Sequence, residues 1–340
     1  MKFLALGVAL IAAALITSAE AQQFTIVDPP GAGKKSGTGS LVLGINAVGT
    51  VVGYYLDKKS NYHAFVRAPD GTYNTFRVDD SDTELQAINS VGAVAGSTFD
   101  INTITSLAFI LNAKGKITTF DPRHSNIVYT NAINNSNAIA GTFYNPSIKP
   151  IAFIWRKKAK LVTFQAPGAF GTEASSINDS NTIAGTWFSR KNIASGYLLG
   201  EDGTFTSFAA PGGGTFGADG TYVDGINAAG FVCGSVVNTG GANPAFLRDA
   251  DGTISEFNAP DAGFGGTTAY AINTAGEIAG AYLDDQFVAH GFTRDADGTI
   301  TEFDPPGSVM TEAISINDNG VVAGYFNDKK GVSHGFLRTP

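Results

Sequence analysis

The chain has 340 residues and a formal net charge of −8, and 15% of its residues are charged. This acidic balance argues against a nucleic-acid partner, because phosphate contacts need a basic surface. The 42 glycines favour a turn-rich β protein over a helical one.

The chain begins with a segment typical of a secretory signal peptide. Lys2 precedes an apolar run over residues 3–16, and Ala19-Glu20-Ala21 resembles a cleavage site. We therefore expect residues 1–21 to be removed, residues 22–340 to form one domain, and the protein to be secreted or periplasmic. No later apolar run is long enough to span a membrane. The single cysteine, Cys233, has no partner for an internal disulfide.

A repeated Ile-Asn dipeptide organises the rest of the chain. Each copy contains four short apolar runs separated by turn residues, which is typical of β-strands. A four-stranded unit of this length predicts a β-propeller blade. The isoleucines of the copies are 43 to 49 residues apart, at Ile45, Ile88, Ile133, Ile177, Ile226, Ile272 and Ile316.

Two glycine positions recur in these copies. Asn-x-x-Gly follows the isoleucine in five copies, and Asn137 and Asn181 replace the glycine in the other two. Because glycine and then asparagine best tolerate positive φ, this position predicts a tight turn. A second glycine lies inside the second strand, and an aromatic residue lies in the third. We expect the ring to pack over the glycine, between neighbouring sheets.

The two ends of the chain complement each other. The stretch from Phe24 to Pro30 resembles a fourth strand and its exit, as in residues 303–306, whereas the last copy has only three strands. The sequence thus predicts an all-β, seven-bladed β-propeller of four-stranded blades, with the last blade closed by the N-terminal strand. A solenoid is the alternative, although it would need distinct caps.

The triplets that begin at His63, His290 and His334 read His-Ala-Phe or His-Gly-Phe. Together with the Ile-Asn-x-x-Gly turn and the second-strand glycine, they resemble the repeat of the extracellular HAF-repeat family. The resemblance covers almost the whole chain after the signal segment. It implies a β-propeller-type repeat protein and carries no catalytic assignment.

The connections at the two ends of the predicted disc differ. Turns between strands one and two and between strands three and four are short; we call their side the turn face. Connections between strands two and three and between copies vary in sequence and length; we call their side the variable face. Since function usually lies on variable loops of a rigid scaffold, we expect the site there.

One register of acidic and phenolic residues lies at the variable face, four residues before the repeat isoleucine. Carboxylates brought together would raise each other's pKa and attract a divalent cation. If they are solvated residues at loop ends, we expect no cofactor and no metal. The register contains Glu84, Tyr129, Glu173, Tyr222, Thr268 and Glu312.

Two long connections add further candidates, at residues 121–131 and 209–224. The second is either a lid over the central channel or a plain insertion. His124 is the one histidine outside the repeat position, so it is the candidate for acid–base chemistry, with Glu84, Glu173 or Glu312. The candidate ligand-binding residues are Arg123, His124, Tyr129, Glu173, Phe216, Asp219, Tyr222 and Glu312.

No assembled catalytic motif is present, so the sequence favours a monomeric binding or scaffold protein that recognises a glycan or a protein on its variable face. The alternatives are a hydrolase or lyase with a site at the channel mouth, and a structural or adhesive surface component. An enzyme would bring His124 within hydrogen-bond reach of a register glutamate. A binding protein would instead have an aromatic-lined groove among Tyr129, Phe170, Phe216, Tyr222 and Phe264, and rings buried between blades would count against it.

Overall fold

A computed structural model describes residues 23–122, 125, 127–157, 161–241 and 243–340. The expected signal peptide, residues 1–21, lies outside this range. No helix in the described residues is long and apolar enough to cross a membrane. The described part of the chain forms 28 strands: β1 (Gln23–Val27), β2 (Gly39–Ile45), β3 (Val51–Leu56), β4 (Tyr62–Arg67), β5 (Tyr73–Phe76), β6 (Asp82–Ile88), β7 (Val94–Asp100), β8 (Thr105–Leu111), β9 (Ile117–Phe120), β10 (Ile127–Ile133), β11 (Ile139–Tyr144), β12 (Pro150–Trp155), β13 (Val162–Phe164), β14 (Gly171–Ile177), β15 (Ile183–Phe188), β16 (Ala194–Leu199), β17 (Phe205–Phe208), β18 (Gly220–Ile226), β19 (Val232–Val237), β20 (Ala245–Arg248), β21 (Ile254–Phe257), β22 (Thr267–Ile272), β23 (Ile278–Leu283), β24 (Ala289–Arg294), β25 (Ile300–Phe303), β26 (Ser308–Ile316), β27 (Val322–Asp328) and β28 (Ser333–Thr339).

Strands β2 to β25 pair in groups of four consecutive antiparallel strands, beginning with β2 to β5 and ending with β22 to β25. The remaining group joins β26, β27 and β28 to β1. Strand β1 pairs with β28 from Gln23 opposite Thr339 to Val27 opposite Gly335. The N-terminal strand therefore completes the last sheet, as the sequence predicts.

The first strands of these groups surround a central channel. Strand β2 contacts both β6 and β26, and the contacts continue through β10, β14, β18 and β22 to close a ring. Side chains of adjacent sheets fill the space between them; for example, Ala95 and Ile110 of one sheet pack with Ile139 and Phe153 of the next. The hydrophobic core is thus divided among the gaps between sheets.

Each sheet places an aromatic ring of its third strand over a glycine of its second strand. Gly96 pairs directly with Phe109, and a Cβ atom on Gly96 would lie 2.4 Å from that ring and 2.5 Å from the Glu84 carbonyl oxygen. The ring also packs against Val52 of the preceding sheet. The expected ring-on-glycine contact is confirmed, but it lies within one sheet, and the ring then fills the gap to the neighbouring sheet. The seven rings have no exposed surface: Phe65, Phe109, Phe153, Tyr197, Phe246, Phe292 and Phe336.

The turn after each Ile-Asn pair has the predicted conformation. Gly49 has φ of 84°, and Asn137 and Asn181 adopt φ of 61° and 59°. Glycine and asparagine are interchangeable here because both tolerate this left-handed backbone. The preceding asparagine also fixes the turn, since Oδ1 of Asn134 accepts a hydrogen bond from the Ala138 amide at 2.9 Å.

The same asparagines link neighbouring sheets, which the sequence analysis did not predict. The side-chain nitrogen Nδ2 of Asn134 donates to the backbone carbonyl of Asn178 at 3.1 Å. The bond recurs around the molecule, and Asn317 completes it by donating to the Asn46 carbonyl at 3.0 Å. We call this closed set the asparagine circle. Its buried members are Asn46, Asn89, Asn134, Asn178, Asn227, Asn273 and Asn317.

Candidate functional site

Each channel-lining strand contains a β-bulge, and in every one but β26 an extra residue at the bulge lines the central channel. In β6 the bulge lies between Leu85 and Ala87, and the intervening Gln86 lines the channel. A bulge re-aims a side chain in this way because two residues oppose one on the partner strand. Other channel-lining residues at this bulge level are Leu43, Asn131, Ser175, Asp224 and Tyr270.

The repeat isoleucines narrow the channel. They line both a cavity of about 240 Å³ at the bulge level and a cavity of about 230 Å³ at the asparagine circle. Most of the isoleucine surface is buried, as for Ile45 and Ile226, each 7% exposed. The isoleucines therefore form an apolar ring that separates the polar bulge level from the turn face.

Each of the three register glutamates is partly withdrawn from water. Burial raises the pKa of Glu84, Glu173 and Glu312 above its ordinary value. The sequence analysis expected repulsion among these carboxylates to raise their pKa, but desolvation is the main cause. A desolvated carboxylate gains most from a ligand that supplies hydrogen-bond donors or positive charge.

Glu173 lies among phenols. The Tyr144 hydroxyl donates to Oε1 of Glu173 at 2.8 Å. Burial, and then the charge of the nearby Glu173, raises the pKa of Tyr222. The Tyr222 hydroxyl donates to the Ala218 carbonyl at 2.6 Å, so this register residue is held against the connection that precedes it.

Glu312 lies beside the bulge level. Burial and then the charge of Glu312 raise the pKa of Tyr270, and the same two effects raise that of Tyr325 to about 12. Burial raises the pKa of Asp224 to about 8. Oε2 of Glu312 and Oδ2 of Asp224 are buried, and no described residue forms a hydrogen bond with them.

Glu84 and Tyr129 line one cleft of about 420 Å³, which we call the Glu84 cleft. One wall is β6, where the alternate residues Asp82 and Glu84 project to the same side. The other wall is β10, where Ile127 and Tyr129 do the same. The cleft therefore has one acidic wall and one largely apolar wall.

Strand β7 and the start of β4 complete the Glu84 cleft. Ser97 and Phe99 of β7 are the cross-strand partners of Glu84 and Asp82. Gln86 donates from Nε2 to Oε2 of Glu84 at 3.2 Å and to the Ser97 hydroxyl at 3.1 Å. This bulge residue thus orients the acidic wall from the channel side.

The structure places the other candidates in different settings. Arg123 and His124 lie outside the described residues, so the expected approach of His124 to a glutamate stays a prediction. Phe216 is 82% exposed. Both carboxylate oxygens of Asp219 accept hydrogen bonds within the loops, from the Thr239 amide at 2.9 Å and hydroxyl, and from the Phe216 amide at 3.2 Å. Asp219 therefore connects the segment of residues 209–224 to the loop that contains Thr239.

Several aromatic rings of the variable face are open to solvent. Tyr129 and Phe170 are 43% and 40% exposed, and Phe264 is 61% exposed. The ring of Phe170 also lies 4.8 Å from Nζ of Lys149. These rings are not buried between blades, whereas Tyr222 is only partly exposed. The aromatic-lined groove expected among the five rings stays a prediction.

Two repeat histidines, His290 and His334, each lie between two carboxylates, whereas His63 pairs with one carboxylate, that of Asp57, among the described residues; this role was not predicted. Nδ1 of His290 lies 2.6 Å from Oδ2 of Asp304, and Nε2 lies 3.5 Å from Oδ2 of Asp284. Thr311, on the first strand of the next sheet, donates to Asp304 at 2.5 Å. The available signal was a constant spacing: an aspartate precedes each repeat histidine by six residues, as in Asp57 and His63.

Within the described ranges, no group of three or more His, Cys, Asp or Glu residues is placed to hold a metal ion. The histidine nitrogens face carboxylates, and the register glutamates are each accompanied by phenols or an amide. The register glutamates and their neighbours therefore offer a ligand hydrogen-bonding groups and aromatic rings.

No protein-family model and no curated protein matches this sequence. Several solved structures are similar in fold. A streptogramin B lyase is 16% identical, with a TM-score of 0.63, and the match covers 93% of this chain and 97% of the lyase chain. Virginiamycin B lyase from Staphylococcus aureus is also 16% identical, with a TM-score of 0.62. The match covers 94% of this chain and 100% of that lyase chain. The β-propeller domain of the Trilobed protease from Pyrococcus furiosus is 10% identical, with a TM-score of 0.60. The match covers 88% of this chain and 95% of that domain. This likeness shows a β-propeller fold with four-stranded blades.

Proposed function

We propose that this β-propeller is a secreted or periplasmic binding protein that recognises a glycan or a protein ligand on its variable face. The grouping of 28 strands in fours supports a count of seven blades. The triplets at His63, His290 and His334 support a relationship with the extracellular HAF-repeat proteins. The signal-like N-terminal segment supports export.

The Glu84 cleft is the observation that carries this proposal. Small-ligand sites are concave and mostly apolar, with a few convergent polar groups and perturbed pKa values. The cleft meets this description: Tyr129 and Phe99 provide aromatic surface, Ser97 provides a hydroxyl, and Glu84 is a carboxylate with a raised pKa. Its volume of about 420 Å³ is within the usual range for such sites.

The surroundings of the cleft extend the binding surface across the variable face. Glu173 with Tyr144, and Glu312 with Tyr325, repeat the combination of a desolvated carboxylate and a phenol. Exposed rings such as Phe170 lie farther along the same face. A polymeric ligand would thus find several similar contact points around the channel mouth.

A screen by thermal shift tests the proposal. Soluble glycans and secreted proteins are added to the purified protein, and each stabilising ligand is repeated with Glu84→Gln and Tyr129→Ala. A ligand at a hundred times its Kd raises the free energy of unfolding by about 2.7 kcal/mol. We expect both variants to lose the shift and Glu201→Gln, an exposed change on the turn face, to retain it. Shifts that are equal in all variants would place binding elsewhere.

A hydrolase or lyase is the second candidate, because Glu84 lines a cleft and burial raises its pKa, the direction that suits a general acid. The test is turnover of any glycan that the screen identifies. Product formation that Glu84→Gln abolishes, with binding retained, would identify an enzyme.

A further inference from the structure

We infer that the Glu84 cleft binds one neutral sugar ring of a glycan, with its hydroxyl edge on the acidic wall and its apolar face on Tyr129. This inference rests on the proposed binding function and names the ligand that fits the cleft. The two walls differ in chemistry, so a matching ligand must itself have one polar edge and one apolar face. A pyranose ring has both.

The acidic wall has unused hydrogen-bonding capacity. Gln86 donates to Oε2 of Glu84, whereas no described residue donates to Oε1. The hydroxyls of Tyr62 and Tyr129 also have no hydrogen-bond partner among the described residues. A ligand that carries both donors and acceptors along one edge would satisfy these groups. Sugar hydroxyls do so, and their bonds to an ionised carboxylate are charge-assisted.

The balance of charge favours a neutral ligand over a multiply charged cation. Oδ1 of Asp82 lies 3.5 Å from Nη2 of Arg77 and also accepts from the Tyr62 amide at 3.1 Å. The Asp82 charge is therefore offset within the protein. Among the residues that the structure describes, Glu84 is left as the single uncompensated charge on this wall, and burial raises its pKa. Donors from a neutral hydroxyl pair can stabilise one such carboxylate without a further charge in the cleft.

The apolar wall is preformed. The Tyr129 ring is fixed by an edge contact with Tyr144, with centroids 6.3 Å apart and planes at 86°. It is still 43% exposed, and Ile127 beside it is 41% exposed. Because the ring is already held, a sugar that stacks on it costs little side-chain entropy. Phe99 also lines the cleft and extends its apolar surface.

The test is a titration of the full protein with the methyl glycosides of glucose, galactose, mannose and N-acetylglucosamine, followed by ligand-observed NMR. Glu84→Gln and Tyr129→Ala are compared with two control variants outside the cleft. Glu201→Gln controls for the loss of a glutamate charge, and Phe287→Ala controls for the loss of an exposed ring. We expect at least one glycoside to bind, with Kd raised about tenfold in both cleft variants and changed less than twofold in the controls.

Butylammonium is titrated in parallel, because a cation is the competing occupant. Binding of butylammonium without any glycoside, weakened by Glu84→Gln, would overturn the sugar inference while the cleft remained a binding site. A glycoside that binds equally well to both cleft variants would also overturn it, since the sugar would then sit elsewhere. Binding of neither probe would overturn the inference and remove the cleft as support for the proposed function. Thermal melting of each variant confirms that it folds.

Discussion

The imidazole of His334 and the carboxylate of Asp28 lie 2.8 Å apart, from Nδ1 to Oδ2, although 306 residues separate them in the chain. The other oxygen of Asp28 accepts from the Ser40 hydroxyl at 2.6 Å. The His334 ring also stacks on Phe326, with centroids 5.2 Å apart. One carboxylate at the end of β1 thus ties together the last strand and the first strand of the next sheet.

Loss of this contact should loosen the closure of the ring. We expect Asp28→Ala to lower the free energy of unfolding by about 1 to 2 kcal/mol, because the Ser40 hydroxyl and the His334 imidazole both lose an acceptor. Urea denaturation measures the loss. In a double-mutant cycle with His334→Ala, a coupling of about 0.5 kcal/mol or more is expected, and strictly additive effects would contradict the contact.

The pair of His290 with its two aspartates predicts a pH dependence. Burial lowers the pKa of His290, but the hydrogen bonds and charges of Asp304 and Asp284 outweigh it and raise the pKa above 6.5. A raised folded-state pKa means that the protonated form is stabilised. The stabilisation is therefore complete below the unfolded-state pKa of about 6.5 and is lost as pH rises through the folded-state pKa.

We expect the free-energy difference between the wild type and His290→Asn to be larger at about pH 6 than at about pH 9. Urea denaturation at the two pH values measures it. A difference that is constant with pH would show that His290 contributes only by stacking on Tyr282, where the ring centroids lie 5.2 Å apart. A difference that grows with pH would contradict the ion pair. The pair of His290 with Asp284 is also lost at low pH. This happens as the pH falls through the lowered pKa of Asp284, because its carboxylate is then protonated.

The asparagine circle should be more important than an ordinary turn asparagine. Asn134→Ala removes the bond to the Asn178 carbonyl and leaves the buried Ala138 amide without its acceptor. We expect a loss of about 2 to 3 kcal/mol. Asn112 accepts from the Lys114 amide at 2.9 Å within an exposed turn, so Asn112→Ala should cost about 1 kcal/mol or less. Equal losses would show that the circle adds nothing to the turn.

The second-strand glycine should not accept a side chain. A Cβ atom on Gly234 would lie 2.0 Å from the Tyr222 carbonyl oxygen and 2.8 Å from the Phe246 ring. Because the oxygen belongs to the backbone, relief requires a shift of β18, and we expect Gly234→Ala to cost about 3 kcal/mol or more. At Gly240 the nearest atom would be 3.7 Å away, so Gly240→Ala should change stability by less than about 0.5 kcal/mol. Thermal melting compares the two.

The features that were predictable from sequence are local or periodic. The exchange of Gly49 for Asn137 in equivalent turns required a left-handed backbone, and both residues have it. The likeness of the segment after Phe24 to that before Pro306 predicted the pairing of β1 with β28, which the structure has. Both arguments depend on residues within a few positions of each other or on direct comparison of copies.

The features that were missed are contacts between copies. The bond from Asn134 to Asn178 joins equivalent residues of adjacent blades, and no feature of either turn alone requires it. Gln86 escaped notice because a bulge shifts the strand alternation, on which the assignment of faces depends. Asp219 was expected to face a ligand, but its two oxygens accept from the Phe216 amide, three residues earlier, and from Thr239, twenty residues later in the chain.

The position of β1 in the last sheet has a consequence for how the protein is made. Its partner β28 is synthesised much later, because His334 follows Asp28 by 306 residues. Until β28 has been made, β1 is an unpaired strand with free edges, a state that invites pairing with other chains. A chain that stays unfolded until both strands are present would avoid this period, because β1 could then pair with β28 before it meets another chain.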